Sequence, residues 1–367
     1  MLPSLNGGGA ERAAVHILNH LPAAQWERSM FLFSKTGPYL DDVGRNIPVH
    51  AASGGGRLQQ WQSLRAFVRE SRPQIVVSFL SYFSVLTAVR AAGVGARVVF
   101  NQQTPMTAFL EDGDYAWRSG WRRTVFNLAT RAGYSAADLV VVTSQGVGDD
   151  LVDAFGVRRN SIAVIPNPVD IDAVTRAAAE SIDPAFEAAW HRPVIVAAGR
   201  LAEAKNYPLL IDAVAIVRER VDARLFILGT GDLEPLIRER IHQRGLEHAV
   251  VLCGFQKNPW KYIARADVFA LSSHYEGFGN VLIEAMACGV PVVATASAGT
   301  RDIIQHDVDG LLVESHEPAA LASALLDVLG DAGRRERMSS AAVLSAQRFA
   351  IRPVAQTYVE TFAKVLA

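Results

Sequence analysis

The chain has 367 residues, half of them hydrophobic and a fifth of them charged, and its formal net charge at pH 7 is −1. This length predicts about two domains, and the composition excludes a disordered chain. Broad binding of nucleic acid requires an excess of Lys and Arg over acidic residues, which this chain lacks. We therefore expect a globular protein with no nucleic-acid partner.

Short β-branched segments alternate with helical patterns along most of the chain. The predicted strands are residues 30–34, 74–79, 96–101, 138–144, 162–167, 193–199, 224–229, 250–255, 267–273 and 291–295. Their apolar residues are continuous rather than alternating, which is typical of strands buried on both faces of a parallel sheet. The sequence therefore predicts an α/β protein with two doubly wound domains.

The domain boundaries follow from a proline-containing stretch between Pro166 and Pro193 that carries no strand pattern. Such stretches are typical of connections between domains. The predicted parts are a first domain over residues 1–168, a linker over 169–192, a second domain over 193–350 and an amphipathic helix over 351–367.

The start of the chain places a glycine turn, residues 7–9, before a helix with almost no strand in front of it. In a βαβ unit such a turn follows a buried strand. The first strand is therefore expected to be either missing or reduced to a stub. Its absence should leave a groove or an unpaired edge in the first sheet.

The cysteine content and the apolar runs indicate the compartment. Cys253 and Cys288 each lie inside an apolar run, which is typical of buried thiols in a reducing environment. The longest apolar run, residues 75–89, is too short for a membrane-spanning helix, and no secretory signal pattern is present. The sequence therefore predicts a cytoplasmic protein.

Two cations, Arg200 and Lys205, follow the predicted strand 193–199. They would lie at the carboxyl edge of the sheet, where open α/β sheets bind ligands. A guanidinium beside a mobile ammonium suits two adjacent phosphates. The alternative is a pair of solvated loop charges.

The stretch SSHYEGFGNVLIEAMACGVPVVA, residues 272–294, sets Glu276 before a glycine loop and Glu284 inside the following helix. The amino terminus of that helix is suited to bind phosphate. Carboxylates beside a phosphate site are unfavourable unless they bind hydroxyls, so the pair indicates sugars at both ends of a diphosphate. The alternative for Glu284 is that it only caps or solvates its helix.

These motifs carry a resemblance that covers nearly the whole chain. The segments LNGGGAER, VIPNPVD, GRLAEAKNYPLLIDA, SSHYEGFGNVLIEAMACGVPVVAT and DGLLV stand in family order. The chain resembles the nucleotide-sugar-dependent glycosyltransferases of family four, which retain anomeric configuration. The resemblance implies the GT-B fold, with two Rossmann-like domains facing a central cleft. It also implies that the helix 351–367 crosses back to the first domain.

The resemblance implies a role for each matching residue. Glu276 would contact donor-sugar hydroxyls, and Glu284 the ribose. Arg200 and Lys205, with the amides of the glycine loop, would hold the diphosphate and stabilise it as the leaving group. The other implied donor-binding positions are Gly8, Gly9, Gly199, Gly254, Phe255, Gly277, Phe278, Gly279, Asn280 and Val281. No metal and no cofactor is implied, because the cations and the helix terminus neutralise the leaving group.

One departure from the family pattern lies after the predicted strand 96–101. Many relatives have a histidine near the donor sugar, whereas this chain has Asn101, Gln102 and Gln103. These amides can hydrogen-bond hydroxyls on the acceptor or sugar side, but they cannot relay a proton near neutral pH.

The predicted function is transfer of a hexosyl or N-acetylhexosaminyl unit from a nucleotide diphosphate sugar, UDP-linked, to a glycan or lipid-linked saccharide. The alternatives are a GT-B-type sugar epimerase or phosphorylase, or a non-catalytic nucleotide-sugar-binding paralogue. Donor turnover would separate the enzymes from the binder.

Residues 116–131 form a candidate contact with the inner face of the membrane. Trp117, Trp121, Val125 and Leu128 share one helical face, with Arg118, Arg122 and Arg123 beside it. Such a helix can rest on an anionic membrane. The alternative is that this face packs against the sheet.

Overall fold

The computed structural model describes residues 1–6, 8–80, 82–111, 120–191 and 193–367. The chain divides into two compact units. The first unit comprises Met1–Val169 with Ile351–Ala367, and the second comprises Asp170–Ala350. Both contain parallel sheets and helices, which confirms the predicted α/β class. None of the helices in the described ranges is long and apolar enough to cross a membrane.

The first unit contains two parallel sheets, ordered β1-β2 and β3-β4-β5-β6. Its strands are β1 (Met30–Leu32), β2 (Val49–Ala51), β3 (Ile75–Phe79), β4 (Arg97–Gln102), β5 (Leu139–Val142) and β6 (Ile162–Val164). Its helices are α1 (Gly9–His20), α2 (Arg57–Ser71), α3 (Tyr82–Ala92), α4 (Met106–Glu111), α5 (Gly120–Ala136), α6 (Gln145–Phe155) and α16 (Ile351–Leu366).

The place of the first strand is taken by a stub at the start of the chain. The nitrogen and carbonyl of Met1 hydrogen-bond to β3 at 2.8 and 3.0 Å. Leu2 hydrogen-bonds on its other side to Phe31 and Phe33, at 3.1 Å each, and so joins the two sheets. Leu2 and Leu5 are buried in the core. The expected groove or unpaired edge is therefore wrong, because the stub supplies both the hydrogen bonds and the apolar side chains of a central strand.

The C-terminal helix α16 belongs to the first unit and packs against α1. Its apolar face carries Tyr358 and Phe362, which are buried in the same core as the stub. The ring of Phe362 meets Trp26 edge-on, with centroids 5.8 Å apart. This face anchors the end of the chain on the first unit.

The second unit contains one parallel sheet with the order β12-β11-β10-β7-β8-β9. Its strands are β7 (Val194–Ala198), β8 (Arg224–Leu228), β9 (Val250–Gly254), β10 (Val268–Leu271), β11 (Val292–Thr295) and β12 (Gly310–Val313). Its helices are α7 (Ile171–Ala178), α8 (Pro184–Glu187), α9 (Tyr207–Arg218), α10 (Glu234–Gln243), α11 (Trp260–Ile263), α12 (Asn280–Ala287), α13 (Thr300–Ile303), α14 (Pro318–Gly330) and α15 (Ala332–Ala346). The chain adds β8 and β9 on one side of β7 and then β10, β11 and β12 on the other side. The point between β7 and β10 is therefore a topological switch point, where open α/β sheets bind ligands.

The stretch predicted as a linker, residues 169–192, folds as part of the second unit from Asp170 onward. Helix α7 packs against α11 and α12. The Trp190 ring lies 4.2 Å from that of Phe226, and Phe186 meets Tyr262 edge-on at 5.9 Å. The prolines that indicated a linker include Pro184 at the first position of α8, where proline favours a helix start.

Candidate functional site

The switch point of the second unit is formed by two loops that are tied together. The loop after β7 contains a 3₁₀ turn, Glu203–Lys205. The Ser272 hydroxyl, just after β10, donates to the carbonyls of Lys205 (2.9 Å) and Asn206 (3.0 Å). The backbone N–H of His274 donates to Ala204 at 2.8 Å. These bonds set the position of the cation-bearing loop relative to the loop that carries Glu276.

Lys205 and Glu276 form an ion pair at this point. The Lys205 ammonium donates to Oε2 of Glu276, and the Ser273 hydroxyl lies 3.4 Å from the same oxygen. The two side chains are 20% and 17% exposed, so solvent screens their charges less than at the open surface. Arg200 lies in the same loop as Lys205 and is exposed. The structure thus brings together two of the three predicted catalytic side chains.

A glycine loop leads from Glu276 into α12. Gly279 adopts φ +98°, and a Cβ at this position would lie 3.2 Å from Cγ of Glu276, so the turn favours glycine. The Phe278 side chain is buried and meets Phe349 edge-on at 5.6 Å. The carbonyl of Glu276 accepts from the N–H of Gly299 at 2.8 Å. Buried anchors therefore hold the loop, and the predicted contribution of Phe278 can come only from its backbone.

Glu284 lies inside α12 with only 6% of its surface exposed. Its Oε2 accepts a hydrogen bond from the indole N–H of Trp260 at 2.8 Å. A carboxylate this deeply buried is not a solvated helix residue, so that alternative is excluded. The sequence interpretation missed Trp260, although its position at the start of α11, just after the loop that follows β9 at the ligand-binding edge, is a signal that could have found it.

The turn after β9 presents an aromatic ring to solvent. Gly254 adopts φ +66°, and Phe255 is 75% exposed. The Gln256 side chain donates to the carbonyl of Cys253 at 2.7 Å, which closes the turn. An exposed ring on a closed turn is suited to stack on a planar group. Val281, the second residue of α12, is half-buried.

Side chains that could bind a metal ion do not cluster in the described parts of the chain. No group of three or more His, Cys, Asp and Glu residues that could hold a metal is found in the part of the chain that the structure describes. Both cysteines are free, and burial raises the pKa of Cys253 and of Cys288 to about 12. Independence of the activity from metal remains a prediction.

The predicted residues of the first unit fall into two groups. Gly8 and Gly9 are exposed at the start of α1, where Gly8 is the N-cap. Asn101 and Gln102, by contrast, are buried, and Gln103 is half-buried. The first group is open to a ligand of this unit, whereas the side chains of Asn101 and Gln102 lie in its interior.

Asn101, Gln102 and Gln103 belong to a network of side-chain hydrogen bonds. The Asn101 amide donates to the Tyr358 hydroxyl at 2.7 Å, and Gln103 donates to Oδ1 of Asn101. Asn167 donates to Gln103 at 2.7 Å. The Tyr134 hydroxyl donates to Gln102 at 2.6 Å. Burial raises the pKa of Tyr358, which keeps this phenol protonated. These bonds hold Asn101, Gln102 and Gln103 in the interior of the unit, although Oδ1 of the buried Asn167 has no hydrogen-bond partner among the described residues.

Two family models match the chain in succession. The model described as Glycosyltransferase Family 4 matches residues 7–173, and the one described as Glycosyl transferases group 1 matches residues 180–344. The chain belongs to glycosyltransferase family 4. This confirms the resemblance carried by the sequence motifs.

Solved structures that are similar to this chain share its fold. The structure of HepE from Anabaena in complex with UDP has a TM-score of 0.80 and 22% sequence identity, with 99% of each chain covered. Sucrose-phosphate synthase from Thermosynechococcus elongatus has a TM-score of 0.80 and 19% identity, with 98% of this chain and 94% of that chain covered. The predicted GT-B fold, with its two Rossmann-like domains, is therefore confirmed.

Relatives of known name are similar over part of their length. The N-acetylgalactosamine-N,N'-diacetylbacillosaminyl-diphospho-undecaprenol 4-alpha-N-acetylgalactosaminyltransferase of Campylobacter jejuni is 36% identical over 217 residues, 59% of this chain and 57% of the relative. A D-inositol 3-phosphate glycosyltransferase of Xylanimonas cellulosilytica is 33% identical, with 63% and 58% covered. The chain thus spans less than two thirds of the length of these two relatives.

Proposed function

We propose that this protein is a retaining glycosyltransferase. It moves a hexosyl or N-acetylhexosaminyl unit from a UDP-linked sugar to a glycan or a lipid-linked saccharide. The observation that carries the proposal is the Lys205–Glu276 ion pair, which lies at the switch point just before α12. The buried Glu284 lies further along the same helix. The complexes of Anabaena HepE with UDP and with UDP-glucose support the choice of a UDP-linked donor.

In this proposal Lys205 acts on the diphosphate and Glu276 on the donor sugar, the two groups on which opposite charges develop. The bond between the anomeric carbon and the diphosphate oxygen breaks, the acceptor hydroxyl oxygen bonds to the same carbon, and its proton passes to the departing diphosphate. Positive charge therefore develops on the sugar and negative charge on the diphosphate. Lys205 and the exposed Arg200 neutralise the diphosphate, together with the N–H groups at the start of α12. Glu276 accepts hydrogen bonds from hydroxyls of the donor sugar, and Glu284 from the ribose.

A lipid-linked acceptor is supported by the names of two relatives. The name of the Campylobacter jejuni relative contains a diphospho-undecaprenol saccharide. The lipopolysaccharide core biosynthesis glycosyltransferase LpsE of Rhizobium meliloti is 25% identical over 342 residues, with 90% of this chain and 88% of the relative covered. An enzyme with a lipid-linked acceptor works at a membrane surface, which would place this protein at the cytoplasmic face of the membrane.

The membrane contact that we propose lies on α5. Val125 and Leu128 are exposed on this helix, and Arg123 beside them is exposed as well. Phe83 of α3, also exposed, lies against Gly133 of α5. Basic residues outnumber acidic ones in the first unit, whereas acidic residues are in excess in the second. Trp117, Arg118 and the side chains of Trp121 and Arg122 lie outside the described residues.

The test is a turnover assay with UDP-linked sugars and lipid-linked saccharide acceptors. We expect release of UDP and a product with the anomeric configuration of the donor, read by NMR. Lys205→Gln should abolish most of the turnover, whereas Lys364→Gln, which removes an exposed ammonium from α16, should not. An inverted product would contradict the retaining mechanism. Tight binding of UDP-sugars without any turnover would favour the non-catalytic binder.

A further inference from the structure

Trp260 is the first residue of α11 and reaches a side chain of α12. Its indole N–H donates to Oε2 of Glu284 at 2.8 Å, and Trp260 itself is half-buried. An indole is a donor only, so it cannot exchange roles with the carboxylate or take its proton. The direction of this hydrogen bond is therefore determined by the chemistry of the two groups.

The support behind Trp260 is rigid. Its neighbours Tyr262 and Ile263 are fully buried in the second unit. Asn258, two residues before Trp260, donates to the carbonyl of Ala177 at 2.8 Å. Helix α7 packs against both α11 and α12. The backbone that carries Trp260 is consequently held by contacts that do not involve the Glu284 side chain.

A hydrogen bond to one carboxylate oxygen restricts the rotation of the whole group. Glu284 has three side-chain torsions, and the indole selects the arrangement that brings Oε2 to it. Preorganised groups bind ligands more tightly because less conformational freedom is lost on binding. A carboxylate held in this way can receive two neighbouring hydroxyls of a ribose without rearrangement.

We propose that Trp260 is a positioning residue for the nucleoside, acting through Glu284 on the ribose hydroxyls of a nucleoside diphosphate. This inference rests on the proposed function, since it assigns the ribose to Glu284. It makes the loop between β9 and α11 part of donor recognition. Trp260 does not contact the reacting atoms, so its effect falls on donor binding and not on the bond that breaks.

The experiment compares two ligands, UDP and its 2′,3′-dideoxy analogue, which lacks both ribose hydroxyls. Trp260→Phe keeps an aromatic ring and removes the N–H. We expect this variant to bind UDP about tenfold more weakly, because a hydrogen bond to a charged group is lost, and to bind the dideoxy analogue almost unchanged. In turnover, the donor KM should rise by a similar factor while kcat stays within about twofold.

The matched control is Trp61→Phe in the first unit. The Trp61 indole also donates to a side-chain oxygen, that of Thr87 at 3.0 Å, so this variant loses the same kind of bond elsewhere. It should leave the preference for UDP over the dideoxy analogue unchanged. In a Glu284→Gln background, adding Trp260→Phe should change the UDP Kd by less than it does in the wild type, because the two residues act in series.

Equal weakening of both ligands by Trp260→Phe would overturn the proposal, because a purely structural role affects both alike. Should this variant fail to fold, 3-benzothienylalanine at position 260 replaces the N–H with sulfur and keeps the shape of the ring. An unchanged UDP preference in that protein would equally overturn the proposal. Failure of the wild type to bind UDP would instead contradict the proposed function.

Discussion

In the second unit the loops after β7 and β10 carry ionised side chains, whereas the ends of β4 and β6 in the first unit carry neutral amides. Lys205 and Glu276 are partly exposed and bonded to each other. Asn101 is fully buried, and its amide is bonded to the hydroxyl of Tyr358. Both sets lie at or near the carboxyl ends of parallel strands, so the topology alone does not decide which of them meets a ligand.

The difference shows that side chains at the carboxyl ends of parallel strands can serve stability when they are buried and can serve function when they are exposed. A buried neutral network is favourable when its members satisfy one another, and it then makes the structure more specific. An ion pair that keeps part of its surface exposed, as Lys205 and Glu276 do, retains charges that a ligand can engage. The five predictions that follow test this division, beginning with the largest expected effect.

Glu276→Gln should lower kcat by about a hundredfold or more, because a group that orients the donor sugar loses its charge at the reacting centre. Glu284→Gln should mainly raise the donor KM, since ribose binding is equal in the ground and transition states. Steady-state kinetics with a UDP-linked sugar measure both. Equal effects of the two variants on KM alone would contradict the assignment of Glu276.

Tyr358→Phe should lower the stability of the folded chain by about 1–3 kcal/mol, because the buried amide of Asn101 loses its partner. Thermal unfolding measures this, with Thr357→Val as the control. The Thr357 hydroxyl donates to a carbonyl of its own helix in an exposed position, and its loss should cost less than about 0.5 kcal/mol. The kcat of Tyr358→Phe should remain near that of the wild type. A large loss of kcat without loss of stability would indicate that the amide network acts in the functional site.

Each unit also contains a carboxylate between two arginines, which allows a matched test of pH dependence. Asp138 bonds Arg90 and Arg97 in the first unit, and Asp212 bonds Arg240 and Arg244 in the second. Burial opposes ionisation of both. For Asp138 the backbone N–H of Val98 and the two arginines outweigh burial, and for Asp212 the two arginines do, so the pKa of each acid is lowered. The stabilisation is therefore present above the unfolded pKa, near 4, and is lost as the pH falls through the lower folded value.

Accordingly, Asp138→Asn and Asp212→Asn should each cost about 1–2 kcal/mol at pH 7, and the difference from the wild type should shrink below about pH 4. Denaturant unfolding at several pH values measures this. Asp222→Asn is the control, because the Asp222 carboxylate is 77% exposed in its pair with Arg218 and should contribute little at any pH. A constant difference at all pH values would show that packing, not charge, is responsible.

Arg123→Gln should weaken binding to anionic liposomes about fivefold, because an arginine near a charged membrane contributes about 1 kcal/mol. Arg57→Gln, which removes an equally exposed charge from α2 of the same unit, should have a smaller effect. Sedimentation with vesicles at low and physiological salt measures both. Equal losses would indicate attraction by net charge alone and no specific contact through α5.

The smallest expected effect is that of metal removal. In the proposed mechanism Lys205, Arg200 and the start of α12 supply the positive charge that the leaving diphosphate needs, so EDTA should leave turnover within about twofold. The assay compares turnover before and after dialysis against chelator. Activity that disappears and then returns with Mg²⁺ would contradict the assignment of the phosphates to these groups.

Much of the second unit could be predicted from short stretches of sequence. Continuous apolar runs indicated all of its strands except β12, and the spacing of Glu276, the glycine loop and Glu284 indicated a ligand site at a helix start. In the first unit the runs indicated all strands except β2, and they gave no sign of the stub at the start of the chain. This stub, residues 1–5, pairs through single backbone hydrogen bonds and is too short for any periodic pattern to indicate.

The sequence by itself therefore determined the fold class and the family and predicted the charged groups of the candidate site, because hydrophobic period, glycine turns and local motifs act over a few residues. Only the tertiary structure decided the partners of the polar side chains. Asn101 bonds Tyr358 across 257 positions, and Glu284 bonds Trp260 from another helix. Such pairs depend on how distant segments pack, and packing also decides whether a strand-end amide is buried in a core or open to a ligand.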